Sequence, residues 1–340
     1  MSRVKELDSA RGLAAIIVVA YHCVYTVNIG EWQSNPYLHI FEKFIFLPAK
    51  FGEFAVYFFM AISGYVLAMM ANRNSFLSKK QWMIWRSIRL VPLYYLSLIL
   101  AICVSISLSD HKKNNLQYFL HSYLFSNSNI YSGDNPPLWS LSVEIILSLL
   151  FFSIIRFERL IHSRIFVITI LMYAGTYLAD GWGVRALLRS LIYFIIGVSI
   201  YLGAKNWSHR KVSLNILVFL NLLLALSLIP RSRELLTLLQ ILTIPLTLAF
   251  CLQSERKILS ESKILAHLGK ISFTMYVFHW PILQIFHAKT KNIEISLLQD
   301  KITAVPIALL LVIVISNMLF FLFEKNIISL SKIFLIHLRT

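Results

Sequence analysis

Long apolar runs alternate with short polar segments along the whole chain of 340 residues. A helix needs about 17–25 apolar residues to cross the hydrocarbon core of a bilayer. Ten runs reach or approach this length, and no linker, repeat or low-complexity tract separates them. We therefore predict an all-α membrane protein with about ten transmembrane helices, forming one domain over residues 1–340 without an appended soluble domain. The runs are 10–28, 53–72, 90–108, 138–155, 165–179, 186–203, 212–229, 235–253, 272–288 and 302–323.

The composition agrees with this pattern, since 58% of the residues are hydrophobic and only 14% are charged. Soluble domains average about 45–50% apolar and about 25% charged residues. The net charge of +16 does not indicate a nucleic-acid partner, because the cations form short clusters between the apolar runs. Such clusters are typical of loops that follow the positive-inside rule. The partner that this composition predicts is the lipid bilayer.

The distribution of the basic residues predicts the orientation of the chain. If the N-terminus is cytoplasmic, about two thirds of the 32 Lys and Arg residues fall in cytoplasmic segments. An even number of helices then returns the C-terminus to the same side, so we predict that both termini are cytoplasmic. The apolar stretch after Arg3 and Lys5 resembles a signal peptide. No convincing cleavage site follows Val27, so we interpret the stretch as a retained first helix.

The first run contains three polar side chains, Asp8, Arg11 and His22. At 100° per residue, Arg11 and His22 lie about 20° apart around a helix, and Asp8 and His22 about 40° apart. All three residues are therefore expected on one face. His22 lies about 16 Å further along the helix than Arg11, so we expect it near the middle of the membrane. Asp8 and Arg11 would lie at the cytoplasmic rim, where an Asp–Arg pair is also a common helix start.

Two further motifs belong to the second and third runs. Ser63 and Gly64 lie near the middle of the second run, where a small-residue helix contact is the better interpretation. The functional alternative is that Gly64 lets a ligand approach the backbone. Arg86 and Arg89 are three residues apart and share a helix face near the start of the third run. They either anchor the helix at the membrane surface or bind an anionic cytosolic ligand, because arginine makes bidentate phosphate contacts.

Polar groups also lie inside the fourth and ninth runs. Glu144 is the only acid of the fourth run, about 10 Å from the expected outer end, where it requires a partner or a proton. Tyr276 and His279 share a helix face, and Pro281 interrupts the hydrogen bonding just beyond them. We predict a depth order with the arginines innermost, the two histidines toward the middle and Glu144 slightly further out. These groups would then mark one path across the membrane.

The chain resembles the acyltransferase-3 family of integral membrane acyltransferases over nearly its whole length. Five sequence blocks occur in the order in which that family has them, although Ser9 replaces a family glycine and Phe273 a family tyrosine. The blocks are Leu7–Gly12 with His22, Phe58–Tyr65, Arg86 with Arg89 and Pro92, Trp139 with Leu141 and Glu144, and Gly269–His279. The chain departs from the family after Glu144, and again at Asn326, where relatives often have proline.

The resemblance implies acyl transfer, often of acetyl from acetyl-CoA, to a hydroxyl of a cell-surface glycan. A neutral histidine suits this chemistry as a general base or as an acyl carrier. A carboxylate can orient that histidine, as in catalytic triads. Asp8 and Arg11 would shape the donor site. The predicted residues fall into three groups: catalytic His22, Glu144 and His279; donor-binding Asp8, Arg11, Arg86 and Arg89; and substrate-positioning Ser63, Gly64, Trp139 and Tyr276.

We therefore expect a multi-pass O-acetyltransferase of the bacterial inner (plasma) membrane, acting on an O-antigen or exopolysaccharide intermediate. Acetyl-CoA or another acyl-CoA would be its donor substrate, and we predict neither a metal nor a permanently bound cofactor. One alternative is a different acyl group or acceptor. A second alternative is a proton-coupled secondary transporter that uses His22 and Glu144 as a relay. A structural scaffold does not explain the aligned polar groups.

Overall fold

Helices make up nearly all of the described chain. The computed structural model describes residues 5–26, 51–73, 77–108, 135–155, 182–203, 233–252, 261–291 and 301–338, and these ranges contain no strand. The helices are α1 Lys5–Thr26, α2 Gly52–Arg73, α3 Lys79–Leu108, α4 Leu138–Ile155, α5 Trp182–Gly203, α6 Arg233–Cys251, α7 Lys263–Lys291, α8 Lys301–Leu319 and α9 Lys325–His337, with a π-helix, Phe320–Glu324, joining the last two.

Eight of the ten predicted runs coincide with these helices. The runs at 165–179 and 212–229 lie outside the described residues. Five helical segments are long and apolar enough to cross a membrane, which supports a helical membrane protein. The total of ten spans and the cytoplasmic position of both termini stay predictions. The five segments are Lys5–Val24, Gly52–Asn72, Lys79–Leu108, Val184–Gly203 and Thr303–His337.

Three helices extend well beyond the apolar runs that predicted them. α3 begins at Lys79 rather than at residue 90, and α7 begins at Lys263 rather than at residue 272. The last run ends at residue 323, whereas helical structure continues through the π-helix to His337. Hydropathy marks only the part of a helix that suits hydrocarbon, while backbone hydrogen bonding continues through charged turns at its ends.

Glycines bring two helix pairs into close contact. A Cβ on Gly269 of α7 would lie 2.1 Å from the carbonyl oxygen of Asp8 in α1, so the two backbones touch there. A Cβ on Gly64 of α2 would lie 2.0 Å from the carbonyl oxygen of Phe194 in α5. Small residues allow this approach of helices. The interpretation of Gly64 as a small-residue helix contact is therefore confirmed.

The start of α4 is anchored against the middle of α7. Pro281 has no N–H, so the carbonyl of Val277 lacks its helical partner. The side-chain amide of Asn135 donates to that carbonyl instead, at 3.3 Å. The hydroxyl of Tyr276 donates to the carbonyl of Pro137 at 2.8 Å. These bonds place the first turn of α4 halfway along α7.

The π-helix aims one acid into the protein. Glu324 is 6% exposed, whereas the preceding Phe321, Leu322 and Phe323 are exposed apolar residues. A carboxylate oxygen of Glu324 accepts a hydrogen bond from the backbone N–H of Thr274 at 3.2 Å, and another from the hydroxyl of Thr274. An extra residue in a helical turn rotates the following side chains, and such π-bulges are frequent at functional sites.

Candidate active site

A charged pocket lies between α1, α2, α3, α4, α7 and the π-helix. Each of the five sequence blocks contributes at least one lining residue. Glu324 adds an acid from the π-helix, and Lys270 adds a cation from α7. Four cations therefore face three acids, which leaves a small excess of positive charge. The charged lining residues are Asp8, Arg11, Arg86, Arg89, Glu144, Lys270 and Glu324.

Arg86 and Glu144 form the buried ion pair of this pocket. Nη2 of Arg86 donates to Oε1 of Glu144 at 3.0 Å, and their side chains are 7% and 16% exposed. Nε of Arg86 donates to the hydroxyl of Ser148, one helical turn after Glu144. The hydroxyl of Ser63 donates to the same Oε1 at 2.7 Å. Glu144 therefore neutralises Arg86 and links α2, α3 and α4.

Two histidines lie side by side at a second position along α1 and α7. The ring centroids of His22 and His279 are 5.1 Å apart. Trp280 stands edge-on to His22, with a centroid distance of 5.5 Å. Nδ1 of His279 lies 2.6 Å from the carbonyl oxygen of Tyr276. A carbonyl can only accept a hydrogen bond, so Nδ1 carries a hydrogen, and in the neutral imidazole Nε2 then keeps its lone pair.

The lone pair of His279 has an unusual environment. His279 is fully buried, and its Nε2 has no hydrogen-bond partner among the residues that the structure describes. A buried acceptor without a partner is costly, which makes it a good candidate for a proton-accepting group. The structure therefore brings together His22 and His279, two of the three predicted catalytic residues.

Glu144 lines the charged pocket and does not lie beside His22. It shares the pocket with Asp8 and Arg11, which precede His22 by three to four turns of α1. The predicted depth order, with Glu144 beyond His22, is therefore wrong. That prediction measured depth from the start of α4 and assumed that this start lies at the membrane surface. Instead α4 starts beside Val277, in the middle of α7.

Some of the other predicted site residues lie in the charged pocket, and some lie outside it. Asp8, Arg11, Arg89 and Ser63 line the charged pocket. The hydroxyl of Tyr276 is engaged by Pro137 and Ser140, so it anchors α4.

Two more of these residues have packing contacts. Gly64 packs against α5. Trp139 is partly buried and packs against both apolar clusters of the core. A substrate-positioning role stays a prediction for each of the four residues, Ser63, Gly64, Trp139 and Tyr276.

Sequence reasoning missed two charged residues of the pocket, the cation Lys270 and the acid Glu324. Glu324 is the more informative of the two. It follows the last apolar run by one residue, so hydropathy assigned it to the polar tail. Its electrostatic neighbours include Arg89 and Arg11, on two other helices. One sequence signal could have identified Glu324. The pair Glu324-Lys325 stands where the family often has Glu-Lys-Pro.

The fold and the site of the described residues define a helical membrane protein with a charged pocket and a pair of adjacent histidines. Comparison with protein families matches the acyltransferase domain of the acyltransferase-3 family over residues 4–321. Because this match covers most of the chain, the protein belongs to that family and is a membrane acyltransferase. Comparisons with curated proteins and with solved structures give no match.

Proposed function

We propose that this protein is an O-acetyltransferase of the bacterial inner membrane. It transfers acetyl from cytosolic acetyl-CoA to a hydroxyl of a cell-surface glycan. The observation that carries the proposal is the arrangement of two sites along one helix pair. The charged pocket and the histidine pair both lie between α1 and α7. Arg11 and His22 are about 16 Å apart along α1, so an extended donor can contact both.

The charged pocket suits the phosphates of the donor. Arg11, Arg89 and Lys270 line it in addition to the Arg86–Glu144 pair. Guanidinium groups bind phosphate oxygens through two parallel hydrogen bonds. Glu144 holds Arg86 in place and offsets its charge. The thiol-bearing arm of coenzyme A is then directed along α1 toward His22.

The histidine pair suits the transfer step. The acceptor oxygen attacks the thioester carbonyl, a C–O bond forms, and the C–S bond breaks. An imidazole nitrogen takes the hydroxyl proton and passes it to the departing thiolate. His22 acts as this base or first accepts the acyl group itself, in which case an acyl-imidazole forms and breaks. Mass spectrometry of peptides from acid-quenched enzyme separates the two routes by an acetyl mass on His22.

The positions of His22 and Glu144 argue against the transporter alternative. It requires His22 and Glu144 to exchange a proton. The structure separates these residues by several helical turns and pairs Glu144 with Arg86. A different acyl group or acceptor remains compatible with the same site.

The proposed function is tested with labelled donor. Membranes containing the wild-type chain receive [14C]acetyl-CoA, and base-labile label is counted in the glycan and lipid-linked glycan fractions. We expect His22→Ala to reduce incorporation by about 10²–10⁴-fold, the usual contribution of a general base. His267→Ala is the matched control, because this exposed histidine of α7 contacts Asn317. Absence of label with wild type, or equal label with His22→Ala, refutes the proposal.

The donor site has its own test. Arg89→Gln removes a pocket cation, whereas Lys80→Gln removes an exposed cation of the same helix outside the pocket. Loss of one phosphate contact worth about 1.4 kcal/mol weakens acetyl-CoA binding about tenfold. Equilibrium binding of labelled acetyl-CoA should show this loss for Arg89→Gln alone. Equal affinities for the two variants contradict the donor assignment.

A further inference from the structure

The stretch of α7 from His279 to Gln284 contains polar atoms that the donor site does not use, and two of them, on Trp280 and Gln284, have no part in the transfer step. Nε1 of Trp280 and Oε1 of Gln284 are buried, as is Nε2 of His279. None of these three atoms has a hydrogen-bond partner within the described ranges. An unpaired buried polar group destabilises the folded protein, so three of them in two turns of one helix indicate a place where a ligand binds.

These atoms are close together and adjoin His22. Trp280 and Gln284 are four residues apart, so they share a face of α7 about 6 Å apart along its axis. His279 lies on the adjoining side of the helix. The ring of His22 contacts both His279 and Trp280. The charged pocket contacts α7 earlier, from Gly269 to Phe273. The order along α7 is therefore donor pocket, histidine pair and polar cluster.

The chemistry of the cluster fits a neutral hydroxylated ligand. It offers two acceptors, Nε2 of His279 and Oε1 of Gln284, and one donor, Nε1 of Trp280. A hydroxyl both donates and accepts, so neighbouring hydroxyls of one ligand can satisfy all three atoms. No Lys, Arg, Asp or Glu occurs in α7 from Tyr276 to Ala288, so this stretch of the helix itself offers no cation to an anionic ligand. The indole of Trp280 also offers an apolar surface next to its N–H.

We propose that His279, Trp280 and Gln284 form the subsite for the acceptor, a neutral polyhydroxylated group such as a sugar ring. This proposal rests on the proposed function for the identity of the bound group as an acceptor. An acceptor hydroxyl that donates to Nε2 of His279 lies beside His22, where the acyl group arrives. The subsite and the donor pocket then approach the histidine pair from opposite directions along α7.

The test measures sugar binding without donor or turnover. The full chain in nanodiscs is titrated with n-octyl β-D-glucopyranoside below its micelle concentration, and thermal unfolding is followed. The control amphiphile is octyl tetraethylene glycol ether, which has the same tail and no sugar. We expect a saturable rise in the unfolding midpoint with the glucoside only, because a ligand that binds the native state stabilises it.

Variants of the cluster, compared with a neighbouring control variant, show which side chains bind the sugar. Gln284→Leu and Trp280→Phe should abolish the sugar-specific rise, whereas Ile285→Leu, at an exposed neighbouring position, should retain it. Without ligand, Gln284→Leu should unfold at or above the wild-type midpoint, because it removes an unpaired buried acceptor. The proposal is overturned by no sugar-specific rise in wild type, by a rise that Gln284→Leu retains, or by a lower midpoint of unliganded Gln284→Leu.

The binding assay and the acetyl-transfer assay test the two proposals independently of each other. A sugar-specific rise without acetyl incorporation supports the subsite and refutes the proposed function. Acetyl incorporation that depends on His22, without any sugar-specific rise, supports the proposed function and overturns the subsite.

Discussion

Removal of the guanidinium of Arg86 should destabilise the protein because it strands the carboxylate of Glu144. Arg86→Met keeps much of the side-chain volume and leaves Glu144 with the hydroxyl of Ser63 as its remaining partner from this network. Both partners are largely buried, with side-chain exposures of 7% and 16%. Loss of one partner of a fully buried ion pair costs about 3–5 kcal/mol, and the other pocket cations, Arg11, Arg89 and Lys270, lower the cost here.

The double variant separates the interaction energy of the two side chains from the contribution of each side chain alone. Arg86→Met combined with Glu144→Leu removes both charges together, and replacement of a buried pair by apolar residues is often neutral. We therefore expect the double variant to lose less stability than Arg86→Met alone. The coupling energy between the two sites should be about 2–3 kcal/mol, near the upper end for residues in contact.

The assay is SDS titration in mixed micelles, with unfolding followed by tryptophan fluorescence. The control is the same cycle at Arg189 and Glu53, which pair at 3.1 Å but are 23% and 46% exposed. Their coupling should stay below about 1 kcal/mol, as for most exposed pairs. A strong buried pair is contradicted if the stability losses of the Arg86 and Glu144 single variants are additive, or if both cycles give equal coupling energies.

Two further predictions use the same titration. Gly64→Ala should lower the free energy of unfolding by about 1–3 kcal/mol, because its Cβ would lie 2.0 Å from a backbone oxygen of α5. Gly203→Ala, with nothing within 4 Å of its Cβ, should not be destabilising, and equal losses contradict the contact. Asn135→Leu should cost about 1–3 kcal/mol by stranding the carbonyl of Val277. Adding Pro281→Ala should recover part of this cost by restoring an N–H, and no recovery contradicts the assignment.

Local sequence patterns predicted the parts of the site that lie on single helices. Asp8 and Arg11 were expected on one face of the first helix, and both line the charged pocket. Helical spacing also placed Arg86 and Arg89 together, and the structure has both in that pocket. Such predictions succeed because a helix fixes the relative direction of residues three and four apart.

The contacts between distant helices were not predictable in this way. The position of Glu144 depends on where α4 starts. That start is set by two hydrogen bonds with α7, one that Asn135 donates to Val277 and one that Pro137 accepts from Tyr276. The pairing of His22 with His279 likewise depends on how closely α1 and α7 approach. Hydropathy carries no information on such contacts, because it describes each segment without its neighbours.

The close contact of α1 with α7 has a consequence for the biogenesis of the protein. The ribosome produces α1 well before α7, yet the glycine contact that covers Asp8 comes from Gly269. At about 5–20 residues per second, α1 exists for roughly 10–50 s before the start of α7 has been synthesised. During that time Arg11 and His22 lack their final surroundings in the membrane. Chains that stop before α7 should therefore be natural substrates of membrane quality control.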